Sequence, residues 1–117
     1  MFEAQVEPGH DGMVVVRVAG EIDMAVDALL ENVLCGAAND DGARHVIVDM
    51  ARVEFLDSSG IHALVRGYRA ATETGATFAI RNAGSMVLRV LRITGVAEIF
   101  GLDGVAGVDQ RDETGGA

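Results

Sequence analysis

The chain passes from an apolar stretch into an amphipathic one within Val53-Glu54-Phe55-Leu56-Asp57-Ser58-Ser59-Gly60-Ile61-His62-Ala63-Leu64. Such a change is typical of a strand that leads into a helix. Ser58 stands at the junction, where a hydroxyl oxygen can accept from the free backbone N–H groups of the first helical turn. The same groups and the helix dipole also favour a phosphate there. The position is therefore a plain cap, a phosphate site, or both in turn.

Gly60 is unusual in this place. A glycine inside a helix costs about 0.5–1 kcal/mol relative to alanine. Its presence in the first turn indicates that the backbone must approach a neighbour closely.

Apolar runs with β-branched residues recur at a constant spacing along the chain. They are Met13–Val18, Val46–Val48 and Thr77–Ile80, and Val14, Val46 and Phe78 are separated by steps of 32 residues. This spacing suits strand-helix-strand units, which need about 30 residues or more. Phe2–Val6 is expected to form a hairpin with Met13–Val18, and Glu98–Phe100 a short last strand. The pattern predicts an α/β fold with a mixed sheet of about four or five strands, parallel in its interior.

Three segments with helical periodicity lie between these strands. The first follows Asp23, a plausible N-cap, and ends at the turn of residues 39–42. The second runs from Ser58 to about Thr74. The third runs from its predicted cap Ser85 to about Thr94, and Gly95 ends it.

The charge of the chain narrows the choice of partners. Eighteen acids stand against nine bases, all of them arginine, which gives a net charge of −9. An acidic domain without a basic stripe is repelled by phosphate backbones, so direct binding to nucleic acid is not expected. A protein with some positive surface is the expected partner. No apolar run approaches the roughly 20 residues of a membrane span and no signal peptide is apparent, so we expect no membrane partner and a cytoplasmic protein.

An enzymatic function has little support in the residues. Cys35 is the only cysteine and lies in an apolar run, which favours a small core or half-buried thiol. No metal-ligand spacing, P-loop or other cofactor motif occurs, so no cofactor and no metal are expected. A serine hydrolase would need a base near Ser58, and His62 follows it by four residues. The chain lacks a G-x-S-x-G elbow, and His62 is more often a solvated helix residue. We therefore predict a protein that is not an enzyme.

Residues 53–64 resemble the signature of the STAS-domain anti-sigma factor antagonists, or anti-anti-sigma factors. Val18–Asp23 and Arg89–Val96 are similar to two further segments of that family, in the same order, and the match spans roughly residues 6–102. The resemblance implies the STAS fold, with helices mainly on one side of the sheet. It assigns residues 1–102 to the domain. Residues 103–117 are rich in glycine and acids, which predicts a flexible tail where relatives often have another amphipathic helix.

The resemblance also implies a function. An anti-sigma factor with serine kinase activity would phosphorylate Ser58, and a phosphatase would reset the switch. The dephosphorylated protein would bind that anti-sigma factor and so release a sigma factor. The alternative is a STAS scaffold or transporter-associated subunit that does not act on sigma factors.

The partner-binding face is expected where two neighbouring strands of the parallel sheet end. Loops at the carboxyl ends of such strands lie side by side. Asp57 there has two interpretations, kinase recognition or a second cap residue, and Asp23 likewise could cap a helix, contact the partner, or both. The predicted face comprises Asp57, Ser58, Ser59, Gly60, His62 and Arg66 with the turn Gly20, Glu21, Ile22 and Asp23.

Overall fold

The computed structural model describes residues 1–100 of the 117. These residues form four strands and three helices, which alternate from the second strand onward. The elements are β1 (Glu3–Pro8), β2 (Met13–Ile22), α1 (Asp27–Ala38), β3 (His45–Leu56), α2 (Ser58–Glu73), β4 (Thr77–Arg81) and α3 (Ser85–Ile93). None of the described helices has the length and apolar character needed to cross a bilayer. The predicted tail, 103–117, lies outside the described residues, and the boundary at 102 stays a prediction.

The sheet is mixed, as the sequence predicts. Its order is β1-β2-β3-β4, with β1 antiparallel to β2, and with β2, β3 and β4 mutually parallel. Val14 is paired with Val46, and Val46 with Phe78, so the constant 32-residue spacing in the sequence is the strand register itself.

The core lies on one face of this sheet. Alternate residues of β2, among them Val14, Val16 and Val18, are buried together with residues of all three helices. The opposite face is more polar: Arg17 pairs there with Glu7 at 3.0 Å and with Asp49 at 2.8 Å. The expected placement of the helices on one side of the sheet is confirmed.

The two central strands are longer than the sequence predicts. β2 continues through Gly20 and Glu21 to Ile22, so the predicted turn at 20–23 is wrong for these residues. The register shifts beside Gly20, which has φ +94°, and a Cβ there would collide with the carbonyl group of Met1. At both register shifts β3 carries one residue more than β2, so the alternation of buried residues breaks in β3, where Met50, Val53 and Leu56 are buried three residues apart. In β2 the alternation continues to Ile22, but Gly20 and Glu21 are poor strand formers, so the local sequence does not predict this end of the strand.

Two helix starts also differ from the prediction. Asp23 does not cap α1; its carboxylate accepts from the N–H of Ala25 at 2.9 Å and closes a turn, and the cap position falls on Val26. A short polar side chain that bonds two residues ahead favours such a turn over a helix. Ser85 is likewise the first helical residue of α3, and Gly84 holds the cap position.

The predicted strand at Glu98–Phe100 is wrong, since these residues form a turn. The N–H groups of Val96 and Ala97 both donate to the carbonyl of Leu91, which folds the chain back at the end of α3. Phe100 is thereby buried, with ring centroids 6.1 Å from Tyr68 and 5.7 Å from Phe78. A short apolar segment that packs in a turn cannot be distinguished from a short strand by its local sequence pattern.

Candidate functional site at the start of the second helix

The strands β2 and β3 end side by side at the start of α2. Ile22 and Leu56 are paired in the sheet, and the N–H of Asp57 donates to the carbonyl of Ile22 at 3.2 Å. The turn that begins at Asp23 therefore lies against the first turn of α2. The proximity of these two chain segments, which the sequence predicts, is present in the structure.

Asp57 is the N-cap of α2. Its backbone is extended, and its Oδ1 accepts from the N–H of Ser59 at 2.9 Å and of Gly60 at 3.3 Å. The interpretation of Ser58 as the cap is therefore wrong. Aspartate and serine are equally good cap residues, and the one with the extended backbone takes the position.

Ser58 is the first residue of the helix and is exposed. Its hydroxyl makes no hydrogen bond to any of the residues 1–100, because Asp57 already satisfies the neighbouring N–H groups. A phosphate on this oxygen would be attracted by the helix dipole and repelled by the adjacent carboxylate. The serine is thus free to be modified, and a modification would change the local charge strongly.

Gly60 lets the helix start lie directly on the strand ends. A Cβ at this position would overlap Leu56 and stand 2.6 Å from Cγ2 of Ile22. This is the close backbone approach that the sequence indicates. Gly60 and Gly20 are both buried, so they shape the site and offer little contact surface. Ser59 is half-buried.

His62 and Arg66 extend the exposed surface along α2. Arg66 donates to Oε2 of Glu31 on α1 at 3.3 Å. The His62 ring is exposed and is not hydrogen-bonded to Ser58 within the described structure. The described residues thus show no hydrogen-bonded Ser58–His62 pair of the kind in which a base activates a serine.

Three acidic residues lie at the ends of β2 and β3. Glu21 is exposed and Asp23 half-buried in the segment next to Asp57. Beside them, Met24 is 77% exposed and Phe55, the sheet partner of Glu21, is 45% exposed. The sequence interpretation missed these two apolar residues. A methionine directly after a polar turn is the signal that could have found Met24.

Cys35 is half-buried, as expected. Burial, together with the carboxylates of Glu31 and Glu73, raises the pKa of its thiol, and Arg66 opposes this only in part. The neutral thiol is a poor nucleophile, so Cys35 adds no chemistry to the site.

Several anti-sigma factor antagonists resemble this chain over most of its length. The anti-sigma-F factor antagonist RsfB of Mycobacterium tuberculosis is 29% identical over 93 residues, which cover 80% of this chain and 75% of RsfB. The crystal structure of an anti-sigma factor antagonist from Mycobacterium paratuberculosis is 36% identical, with a TM-score of 0.69 over 86% of this chain and 83% of that one. SpoIIAA, an anti-sigma factor antagonist in its unphosphorylated form, shares the fold with a TM-score of 0.72 at 19% identity, over 95% of this chain and all of the other.

One similar protein belongs to a different class. The high affinity sulfate transporter 2 of Stylosanthes hamata is 28% identical over 102 residues, which cover 79% of this chain but only 15% of the transporter. The likeness is thus to one part of a much larger protein. A family model described as the STAS domain matches residues 3–109 of the present chain. Because this match covers most of the sequence, the chain belongs to the STAS domain family.

Proposed function

We propose that this protein is an anti-sigma factor antagonist controlled by phosphorylation of Ser58. Its unphosphorylated form binds an anti-sigma factor that has serine kinase activity, and the bound anti-sigma factor releases its sigma factor. Phosphorylation ends the binding, and a phosphatase restores it. This role places the protein in the cytoplasm with its kinase, as a regulator without catalytic activity of its own.

The observation that carries the proposal is the state of Ser58. Its hydroxyl is exposed, makes no hydrogen bond within residues 1–100, and sits beside a carboxylate that has taken over the capping of the helix. If Ser58 served only as a cap, its hydroxyl oxygen would accept from backbone N–H groups of the first helical turn. Here those N–H groups donate to Asp57 instead. The names of the relatives support the same role. SpoIIAA has been solved in an unphosphorylated and a phosphorylated form, although it shares only the fold at this identity.

The switch follows from charge and desolvation. A phosphate adds about −1.5 to −2 charges at neutral pH. In the free protein, water and the helix dipole lower its energy although Asp57 is adjacent. Inside an interface shaped for a hydroxyl, that charge would be desolvated next to Asp57 without a partner, which is costly. Phosphorylation is therefore expected to release the complex without unfolding the domain.

The contact surface is proposed to combine both chain segments at the strand ends. Asp57, Ser58, Ser59 and His62 come from the start of α2, and Glu21 and Asp23 from the end of β2. The hydrogen bond from Asp57 to Ile22 holds the two segments together. Chemical-shift mapping with the isolated anti-sigma factor tests this surface. Shifts confined to residues 81–92, which cover the end of β4 and most of α3, would refute the proposed contact surface.

The likeness to a sulfate transporter favours a second candidate, a STAS domain that works as a scaffold or transporter-associated subunit. Such a domain needs no switchable serine. Proteins captured from the native cell, with and without phosphatase treatment of the bait, distinguish the two. Release of an anti-sigma factor that depends on phosphorylation supports the first, and a membrane transporter captured regardless of phosphorylation supports the second.

A further inference from the structure

One face of α2 carries a row of exposed polar side chains that begins at Ser58. His62, Arg66 and Arg69 are exposed, Val65 is half-buried among them, and these four residues line a groove of about 200 Å³. At 100° per residue, their offsets from Ser58 place all of them within a sector roughly 100° wide. The row is roughly 16 Å long at 1.5 Å per residue. The phosphoacceptor and the groove therefore form one continuous surface.

The charge of this surface changes sign at Ser58. On one side are the carboxylates of Asp57 and Asp23, and on the other the guanidinium groups of the groove. Arg66 forms an ion pair with Glu31. Because the Arg66 side chain is 63% exposed, this ion pair is weak. Arg69 forms no ion pair with any of residues 1–100, although Glu73 follows one turn later on α2.

We propose that the groove of His62, Val65, Arg66 and Arg69 receives an acidic segment of the anti-sigma factor, and that Arg69 fixes the register in which the kinase reaches Ser58. The inference rests on the proposed function and adds the chemistry of the partner. Charge complementarity carries it: Arg66 and Arg69 are exposed guanidinium groups on the same helix face as Ser58, and the planar fork of a guanidinium binds an external carboxylate. Val65 supplies the apolar floor on which such a segment packs.

The sign change makes the recognition directional. A chain of net charge −9 attracts any basic protein over most of its surface. A partner that sets basic groups against Asp23 and Asp57, and acidic groups against Arg69, is attracted in one orientation only. The reverse orientation brings like charges together and is disfavoured. Arg69 is thus a positioning residue for the reaction at Ser58.

The test compares the wild type with Arg69→Glu, Arg69→Lys and the control Arg89→Glu. Arg89 is exposed on α3, forms no ion pair within the described residues, and gives the same change in net charge. The association rate with the isolated anti-sigma factor is measured by stopped flow at low and high salt, with KM and kcat for phosphorylation of Ser58. We expect Arg69→Glu to slow association about tenfold at low salt, to raise KM, and to lower kcat because Ser58 is no longer held in the productive register. Added salt should reduce the difference in association rate between Arg69→Glu and the wild type. Arg69→Lys keeps the positive charge and should keep most of the wild-type association rate.

Three results would overturn the inference. One is equal behaviour of Arg69→Glu and Arg89→Glu, with both folded by circular dichroism, while the wild type binds and is phosphorylated at Ser58. Another is a change in self-association of Arg69→Glu, measured by sedimentation, with unaltered binding to the anti-sigma factor; the groove would then receive a second copy of this chain. A wild type that is neither bound nor phosphorylated would refute the proposed function itself, and the inference with it.

Discussion

The backbone N–H of Asp57 donates to the carbonyl oxygen of Ile22 at 3.2 Å, so the cap of α2 is tied to the last residue of β2. The residue that orients the helix start is thereby held by the neighbouring strand. Displacement of the turn at Asp23 would be transmitted to Ser58 through this bond. The two segments of the proposed contact surface therefore act as one unit.

Substitution of Ser58 should separate binding from switching. Ser58→Ala should accept no phosphate and should bind the anti-sigma factor like the wild type, since the lost hydroxyl makes no hydrogen bond within residues 1–100 and the helix start is therefore kept. Ser58→Asp should weaken binding by about 2–5 kcal/mol, which is tens- to thousands-fold in affinity, because a charge is desolvated at the interface. An aspartate carries only about one charge, so it mimics the phosphate in part. Titration calorimetry measures the affinities and intact-protein mass the phosphate. Equal affinity for all three folded proteins, or modification confined to Ser59, would contradict the assignment.

Two substitutions of Asp57 separate its charge from its role as a cap. Asp57→Asn keeps an oxygen for the N–H groups of Ser59 and Gly60, so its unfolding free energy should change little. Asp57→Ala loses the cap and should cost about 1 kcal/mol. If the charge contributes to the switch, phosphorylated Asp57→Asn should retain more affinity for the anti-sigma factor than the phosphorylated wild type. Thermal melts and calorimetry check both points. Should Asp57→Asn instead melt lower while its phosphorylation and binding stay the same, Asp57 would be only a cap.

Gly60 and Gly36 provide a matched pair of glycines in helices. Gly60→Ala should lower the unfolding free energy by about 1–3 kcal/mol, because its Cβ would overlap Leu56 and Ile22. Gly36→Ala on α1 meets no atom within 4 Å and should raise the unfolding free energy by about 0.5–1 kcal/mol. Urea titrations of both variants measure the difference. A Gly60→Ala protein as stable as Gly36→Ala would show that α2 does not press on the strand ends.

The thiol of Cys35 should titrate at higher pH in the folded protein than in the unfolded one. Burial and the carboxylates of Glu31 and Glu73 raise its pKa, so the neutral thiol persists above the ordinary range near about 8.5. A raised pKa contributes stability below the unfolded pKa, and this contribution is lost as pH rises through the folded pKa. Labelling with a thiol reagent across the alkaline range, from about pH 7 to about pH 11, with and without urea, gives both midpoints. Coincident midpoints would contradict the assigned environment.

Much of the fold follows from local patterns in the sequence. The spacing of Val14, Val46 and Phe78 is enough to predict the parallel order, since a strand-helix-strand unit returns to the same level of the sheet. The bulges of β3 and the close approach of Gly20 to Met1 could not be predicted this way, because both involve residues that are distant in sequence. The turn that buries Phe100 depends likewise on Tyr68 and Phe78.

The candidate site shows the same division between local and distant causes. Its location follows from the change of pattern at residues 53–64, and Gly60 correctly indicates a close approach. The identity of the cap did not follow, since Asp57 and Ser58 are adjacent and both suit the position. Asp57 holds the cap position because its backbone N–H donates to Ile22, the last residue of β2. This contact with a distant strand cannot be read from the helix sequence.

The equal register steps of the sheet have a consequence for how the chain folds. Pairing Val14 with Val46 closes a loop of the same length as pairing Val46 with Phe78. Loop entropy, which grows only slowly with length, therefore gives neither crossover an advantage. The hairpin of β1 and β2 joins neighbouring residues and closes fastest. The packing of α1 against α2, through contacts such as Leu34 against Gly67, joins the helices of the two crossovers, so we expect it to couple their formation. The rate of folding would then depend on helix packing more than on the strands themselves.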